Sequence, residues 1–180
     1  MKFDSRRSSV LSRKGMIATS HPLAASAGMR ILQDGGNAVD AAIAAAAVLN
    51  VVEPVSTGIG GDAFALVWLA KEKQVKALNA SGRAPMDASL NYLINQGFTS
   101  IPSETAWAVS VPGTVDGWQT LIEEYGTLSI AQVLRDAIEY AEGGFPVSEI
   151  ISHMWQGARA RLAKRPSGNE FLVNGQAPQK

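Results

Sequence analysis

A run of small apolar residues between a glycine pair and a proline most constrains how this chain can fold. The run is NAVDAAIAAAAVLNVVEP, from Asn37 to Pro54. Asn37 is placed to cap a helix, and the carboxylate of Asp40 in the first turn favours the positive end of the helix dipole. Because nearly every position from Ala38 to Leu49 is small and apolar, the pattern predicts a helix that neighbours cover on most sides. It is too short to span a bilayer, which needs about 20 apolar residues, and no membrane partner is expected.

The segment after Pro54 is a glycine-rich loop that leads into a strand. VSTGIGG ends at Asp62, and the apolar run AFALVWLA at residues 63–70 predicts a strand buried on both faces. A Walker loop needs glycines, a lysine and then a helix, and a dinucleotide fingerprint needs a strand, glycines and a helix in that order. Glycines before a strand fit neither motif, so nucleotide binding is not expected. The loop instead allows its backbone to approach a ligand or another part of the fold.

Helix, strand and turn signals divide the rest of the chain into short elements. Strands are predicted at Met16 to Thr19 and at Gln74 to Asn79, the second paired with residues 63–70 as a hairpin. A tight turn is predicted at Asn174-Gly175. The predicted helices run from Pro22 to near Asp34, from Val115 to a stop at Gly126, from a Ser129–Gln132 capping box to Gly143-Gly144, and from Ile150 to Leu162.

Composition indicates a globular chain without a general charge preference. The 180 residues are 46% hydrophobic and 18% charged, and 16 basic residues balance 16 acidic ones, so no attraction to nucleic acid is expected. Residues 1–14 are the exception and predict a basic disordered tail before a domain at 15–180. No apolar export core follows Ser5-Arg6-Arg7, so a cytoplasmic protein is expected. The absence of cysteine excludes disulfides and thiol catalysis.

Several familiar catalytic and metal-binding patterns are absent from the sequence. There is no G-x-S-x-G elbow, no serine three residues before a lysine and no H-E-x-x-H. His21 precedes a proline at a helix entrance and predicts a capping role, while His153 is interpreted as structural. Asp62 and Glu123-Glu124 have no metal-ligand partners at useful spacing. Neither a metal site nor a cofactor is expected.

Separate motifs in a fixed order carry a family resemblance. They are GMIATSHPLAASAGMRILQDGGNAVDAAIAAAAVLNVVEPVSTGIGGDAFALVW, then NASGRAP near Ser81, then VPGTVDGW near Gly113. From about Gly15 to its C-terminus, the chain resembles the start of the large subunit of gamma-glutamyltranspeptidases and their acylase-like relatives. The resemblance implies an α+β fold, namely the helix-rich N-terminal portion of the large subunit within the αββα sandwich of N-terminal-nucleophile hydrolases. It also implies gamma-glutamyl transfer, or hydrolysis of glutathione-like substrates.

The catalytic threonine of that family lies beyond the residues that this chain matches. In the family a precursor cleaves itself, and the new N-terminal threonine of the small subunit attacks an amide carbonyl while its own amine acts as base. The resemblance therefore implies no catalytic residue here, a chain inactive alone, and as partners the remaining large-subunit segment, the small subunit and a small gamma-glutamyl or acyl-amide substrate. It also implies that the hairpin has an uncovered face in the isolated chain.

Two alternatives stay open. One is a fragment of a cephalosporin or glutaryl acylase-type amidohydrolase, and the other is a truncated, non-catalytic protein that binds a partner chain or a small acidic ligand.

Two positions in NASGRAP bear on the substrate. Aligned on Ala84-Pro85, the arginine that clamps the substrate alpha-carboxylate in the family falls on Ser81, and this chain carries Arg83 two residues later. In an extended segment that shift keeps the side chain on the same face, displaced by about 6 to 7 Å. In a turn it does not. Arg83 is the candidate substrate-binding residue because its planar fork suits carboxylates. Ser81 marks the position of the family's arginine.

Overall fold

The structure is a computed structural model that describes residues 8–103 and 105–179. Its helices are α1 (Pro22–Gln33), α2 (Ala38–Val52), α3 (Leu90–Asn95), α4 (Thr114–Tyr125), α5 (Ile130–Gly143) and α6 (Glu149–Leu162). Its strands are β1 (Ala63–Leu69) and β2 (Gln74–Ala80), which form one antiparallel hairpin. No helix among the described residues is long and apolar enough to cross a membrane.

Helix α2 lies at the centre of the main core, as its apolar sequence predicts. It packs against α1, α4 and α5, and Val48 and Val52 are fully buried. Ala42 is exposed, so the helix is covered on most sides rather than all. Close contact with α1 depends on Gly28, where an added Cβ would press on Ala41 O and on Ile17. Small side chains therefore set the spacing of the helix pair.

The N-terminus of α2 has the predicted cap, and its acidic residue does more than favour the dipole. Asn37 Oδ1 accepts from the amides of Val39 and Asp40. Asp40 Oδ2 accepts from Asn37 N at 2.8 Å, which completes the capping box. Asp40 is also fully buried and accepts from Thr127 N at 3.1 Å and Thr127 Oγ1 at 2.7 Å. Asp40 thus ties the start of α2 to the connection between α4 and α5, a role that the sequence pattern did not indicate.

The hairpin is where predicted and pairing with β2 is confirmed, but burial of both faces is wrong. Phe64, Leu66 and Trp68 are 69%, 78% and 60% exposed. The alternate residues Ala65, Val67 and Leu78 pack on the main core, because α4 lies against one face only among the described residues. The expectation of an uncovered face is confirmed.

The predicted strand at Met16 to Thr19 is wrong. These residues belong to no strand, and the sheet of the described residues contains only β1 and β2. Ile17 packs against the main core, so this apolar segment contacts helices rather than forming a ladder. The tail at 1–14 and the domain at 15–180 stay predictions: residues 1–7 lie outside the described residues, and residues 8–14 are exposed and in no helix or strand.

The remaining predicted elements are confirmed. α1 begins at Pro22, with His21 Nδ1 accepting from Leu23 N at 3.2 Å, and α4 ends before Gly126. Ser129 and Gln132 form the capping box of α5. Asn174 and Gly175 have positive φ of 52° and 71° in a tight turn. α6 packs through Ile151 and Trp155 in a second, smaller cluster.

Candidate functional site

Three loops that carry the glycine-containing motifs meet beside the open end of the hairpin. We call them the three-loop cluster: residues 58–62, 81–83 and 110–113. The carbonyl of Gly61 accepts from Gly113 N at 3.0 Å and from Thr114 N at 3.1 Å. Because α4 has no side-chain cap, this carbonyl satisfies amides that the first turn leaves open. The first glycine loop therefore sets where α4 begins.

Glycine is required in this cluster by close backbone approach. A Cβ on Gly82 would clash with the carbonyl of Val111, and a Cβ on Gly113 would clash with the carbonyl of Ala80. One turn later, a Cβ on Gly117 would meet Ala80 Cβ. The SGR and VPGTVDGW motifs are thus a matched pair of surfaces, whose glycines let two backbones lie against each other.

Asp62 joins all three loops. Its Oδ1 accepts from Gly82 N at 3.0 Å and from Ser110 Oγ at 2.8 Å. The Gly82 amide first, and then the Ser110 hydroxyl, lower the pKa of the Asp62 carboxyl, since both bonds favour its charged form. The sequence pattern raises Asp62 only as a possible metal ligand and does not indicate this role. Among the described residues, no group of three potential metal ligands is present.

Ser81 and Arg83 lie on the middle loop, which is neither strand nor turn. β2 ends at Ala80, and residues 81–85 have no regular structure. Ser81 N donates to Asn79 Oδ1 at 2.9 Å, and Arg83 O accepts from Val111 N at 3.2 Å. Both residues are exposed. Within the described residues, the guanidinium of Arg83 has no hydrogen bond or ion pair, so it is available to an anion. Its substrate role and the meaning of Ser81 stay predictions.

A polar cluster around the buried side chains of Glu53 and His21 lies between the end of α2 and the first glycine loop. Glu53 Oε1 accepts from Ser20 Oγ at 2.8 Å, and the Glu53 carbonyl accepts from Ser56 N and Thr57 N. His21 is buried, and its Nε2 has no partner among the described residues. Burial lowers the pKa of His21, and the charge of Glu53 opposes that shift. The capping role predicted for His21 is confirmed, whereas His153 is exposed on α6 and outside both cores.

The larger grooves lie away from the three-loop cluster. One of about 620 Å³ separates residues 14–19 from α1 and α2, and its lining is mostly alanine and other apolar residues. It offers few groups that could orient a substrate. The residues that carry chemistry are at the exposed three-loop cluster, and we treat that cluster as the candidate site.

Comparisons with known proteins agree with this arrangement. Residues 24–180 match the sequence profile of gamma-glutamyltranspeptidase. The glutathione hydrolase-like YwrD proenzyme of Bacillus subtilis is 42% identical over 172 residues, which are 94% of this chain and 32% of that relative. Gamma-glutamyltranspeptidase of Helicobacter pylori has a TM-score of 0.87 at 34% identity, over 96% of this chain and 51% of that one. Cephalosporin acylase of Bacillus halodurans has a TM-score of 0.83 at 40% identity, over 99% of this chain and 36% of that one.

The fold is the helix-rich N-terminal portion of an N-terminal-nucleophile hydrolase. The predicted α+β fold class is confirmed. The chain belongs to the gamma-glutamyltranspeptidase family. It spans about a third of the length of the curated relatives it matches.

Proposed function

We propose that this chain is the N-terminal part of the large subunit of a gamma-glutamyltranspeptidase-like amidohydrolase acting on glutathione-like substrates. The observation that carries the proposal is the convergence of the family's motifs in the three-loop cluster, with the exposed cation of Arg83, unpaired within the described part of the chain, at its surface. A glutathione hydrolase proenzyme of Bacillus subtilis, 35% identical over 178 residues, supports the substrate class.

In the proposed reaction, this chain binds and orients, and another segment supplies the nucleophile. The hydroxyl oxygen of an N-terminal threonine attacks the amide carbonyl, the amine leaves with a proton, and water or an acceptor amine takes the acyl group from the threonine. The partners are therefore the rest of the large subunit and the small subunit. Alone, the chain is proposed to be inactive. Its cytoplasmic location stays a prediction, which cell fractionation would test.

An activity assay tests whether the nucleophile comes from another segment. The purified 180-residue chain should not hydrolyse a gamma-glutamyl anilide above background. Reading the DNA beyond the codon for Lys180 should show an in-frame or adjacent segment that includes a threonine-initiated small subunit, and co-expression with it should give turnover. Saturable turnover by the intact chain alone, surviving repurification and mass-spectrometric confirmation, would contradict the proposal.

The substrate role of Arg83 has its own test. Arg83→Ala should weaken binding of L-glutamate, followed by NMR titration, by about 1.5 to 3 kcal/mol, the usual cost of losing a charged hydrogen bond. Arg83→Lys should restore only part, because one ammonium does not reproduce the fork. Arg13→Ala is the matched control, since Arg13 is exposed but outside the three-loop cluster. Equal affinity in the Arg83→Ala variant would make Arg83 structural and Ser81 the mark of a lost clamp.

A second candidate is an acylase of the cephalosporin or glutaryl type. Ser81 at the position of the family's clamping arginine favours it, as does the likeness to a cephalosporin acylase at 40% identity. Glutarate, which has no alpha-amino group, distinguishes the two. If glutarate binds this chain as tightly as L-glutamate and depends equally on Arg83, the acylase is favoured. If no ligand binds and no threonine segment is encoded nearby, the non-catalytic alternative is favoured.

A further inference from the structure

We infer that Asp62 is the positioning residue of the Arg83 segment. One carboxylate oxygen of Asp62 accepts from the amide of Gly82, the residue before Arg83. The same oxygen accepts from the hydroxyl of Ser110, where the chain returns to this loop. The inference rests on the proposed function in one respect only, namely that Arg83 meets a substrate carboxylate. Asp62 itself needs no contact with substrate.

The backbone leading to Arg83 is held at three successive residues by three different partners. Ser81 N is held by Asn79, Gly82 N by Asp62, and Arg83 O by Val111 N. Such anchoring leaves the Arg83 side chain free in solvent while its Cα is fixed. Fixing the backbone of Arg83 lowers the conformational entropy lost when its guanidinium binds an anion, because fewer backbone states must be given up.

Asp62 is the anchor that joins three separate parts of the chain, namely its own loop, Gly82 and Ser110. Asn79 is local to the loop, whereas Asp62 stands before β1 and reaches across the hairpin end. A carboxylate that accepts hydrogen bonds from an amide and a hydroxyl makes charge-assisted bonds, which are stronger than neutral ones. The same oxygen therefore fixes the middle loop against both of its neighbours.

Asp62 also closes the base of a long excursion between Arg83 and Ser110. Helix α3 in this excursion has no buried residue. Its cohesion comes partly from aromatic contacts, with ring centroids of Tyr92 and Trp107 5.5 Å apart and those of Phe98 and Trp107 6.4 Å apart. Among the described residues, losing the Asp62 bonds would leave the backbone bond from Val111 N to Arg83 O as the only hydrogen bond between the two ends. Motion of the excursion would then reach Arg83 directly.

The experiment uses the full chain and three variants. Asp62→Ala removes the acceptor, and Asp62→Asn keeps an acceptor oxygen without the charge. Asp87→Ala is the control, because Asp87 is an exposed aspartate of the excursion whose side chain makes no hydrogen bond among the described residues. The readouts are hydrogen exchange of the Gly82 amide, NMR relaxation at Arg83 Nε, and the dissociation constant of L-glutamate.

In Asp62→Ala, Gly82 exchange should accelerate by about 10- to 100-fold, the range for a lost charged hydrogen bond. Arg83 Nε should become more mobile, and glutamate affinity should fall by about threefold to tenfold. Asp62→Asn should recover most of the Gly82 protection, and Asp87→Ala should match the wild type. Unchanged Gly82 exchange and Arg83 relaxation in a folded Asp62→Ala variant would overturn the inference.

Two further outcomes are decisive. If the wild type binds no glutamate but Gly82 and Arg83 respond to Asp62→Ala, the carboxylate role of Arg83 fails and the positioning role of Asp62 stands. If Asp62→Ala does not fold, the pH dependence of the Gly82 amide chemical shift in the wild type tests the inference instead. It must follow the titration of the Asp62 carboxyl, and independence from that titration overturns the inference.

Discussion

The helical core and the hairpin region, residues 63–111, are stabilised in opposite ways. Helices α1, α2 and α5 are held by buried side chains, and most of α2 is inaccessible to solvent. In the hairpin region the large apolar side chains are mostly exposed, and order comes from backbone bonds, glycine contacts and Asp62. Packing of buried side chains therefore determines the structure of the first region, and close backbone approach determines that of the second. Substitutions of the same kind should therefore have different costs in the two regions.

The largest expected effect is at Asp40, the polar exception within the helical core. Asp40→Ala leaves the amides of Asn37 and Thr127 without the buried carboxylate that accepts from them, and we expect a loss of about 3 kcal/mol in the free energy of unfolding. Urea denaturation would measure it. Asp116→Ala is the control, because Asp116 is also in a first helical turn but is exposed. Equal losses at the two positions would contradict the buried role of Asp40.

Gly82→Ala probes the backbone contacts of the hairpin region. Its Cβ would clash with the carbonyl of Val111, so the loops must separate, at a cost of about 2 to 3 kcal/mol by analogy with overpacking. The amide signals of the three-loop cluster should shift while those of α2 stay in place. Gly143→Ala is the control, because an added Cβ there meets no neighbour within 4 Å. A wild-type spectrum for Gly82→Ala would show that the loops are not in contact.

The two faces of β1 give a paired test within one strand. Val67→Lys places a charge on the face that packs on the core and should cost about 1 to 2 kcal/mol. Leu66→Lys, at a position 78% exposed, should leave stability within about 0.5 kcal/mol.

The uncovered face should also govern association. An exposed apolar strand face promotes self-association, so the wild-type chain should bind a hydrophobic dye and form oligomers in light scattering, and Leu66→Lys should reduce both. A sharp monomer peak without dye binding in the wild type would contradict the expectation of an uncovered, adhesive face.

The smallest effect concerns His21. Burial lowers its folded-state pKa below the ordinary value of 6.5, so the unfolded chain binds more protons as pH falls below that value. The stability from neutral His21 is present above that value and is lost as pH falls through the folded-state pKa. His21→Asn keeps a capping acceptor but does not titrate, so its unfolding free energy should fall less than that of the wild type over this window. Equal pH slopes would show that His21 is not desolvated.

Sequence patterns predicted the elements whose signals are local. Asn37, Ser129 and the glycines after α4 and α5 mark helix ends through contacts within a few residues, and such contacts do not depend on the rest of the fold. The strand predicted at Met16 to Thr19 and the two-sided burial predicted for β1 were wrong, because a run of apolar residues does not say which neighbour covers it.

The candidate site was predicted less completely. NASGRAP drew attention to Ser81 and Arg83, and the glycines indicated close backbone approach. The role of Asp62 was missed because its partners, Gly82 and Ser110, are distant in sequence and one of them is a backbone amide. The available signal was the glycine in each loop. A glycine indicates that another part of the backbone comes close, but it does not indicate which part.

The pinned ends of the excursion have a consequence for folding and for tolerated length change. β1 and β2 are joined by a tight connection, so hairpin formation brings Asp62 beside Gly82 with little loop entropy. Closing the chain from Arg83 to Val111 is the slower, longer-range step. Loop-closure entropy rises only by about 0.6 kcal/mol for each doubling of length. Residues could therefore be inserted between Pro85 and Val109 at small cost without moving Arg83, which makes this excursion a place where the protein can vary its surface and keep its candidate site.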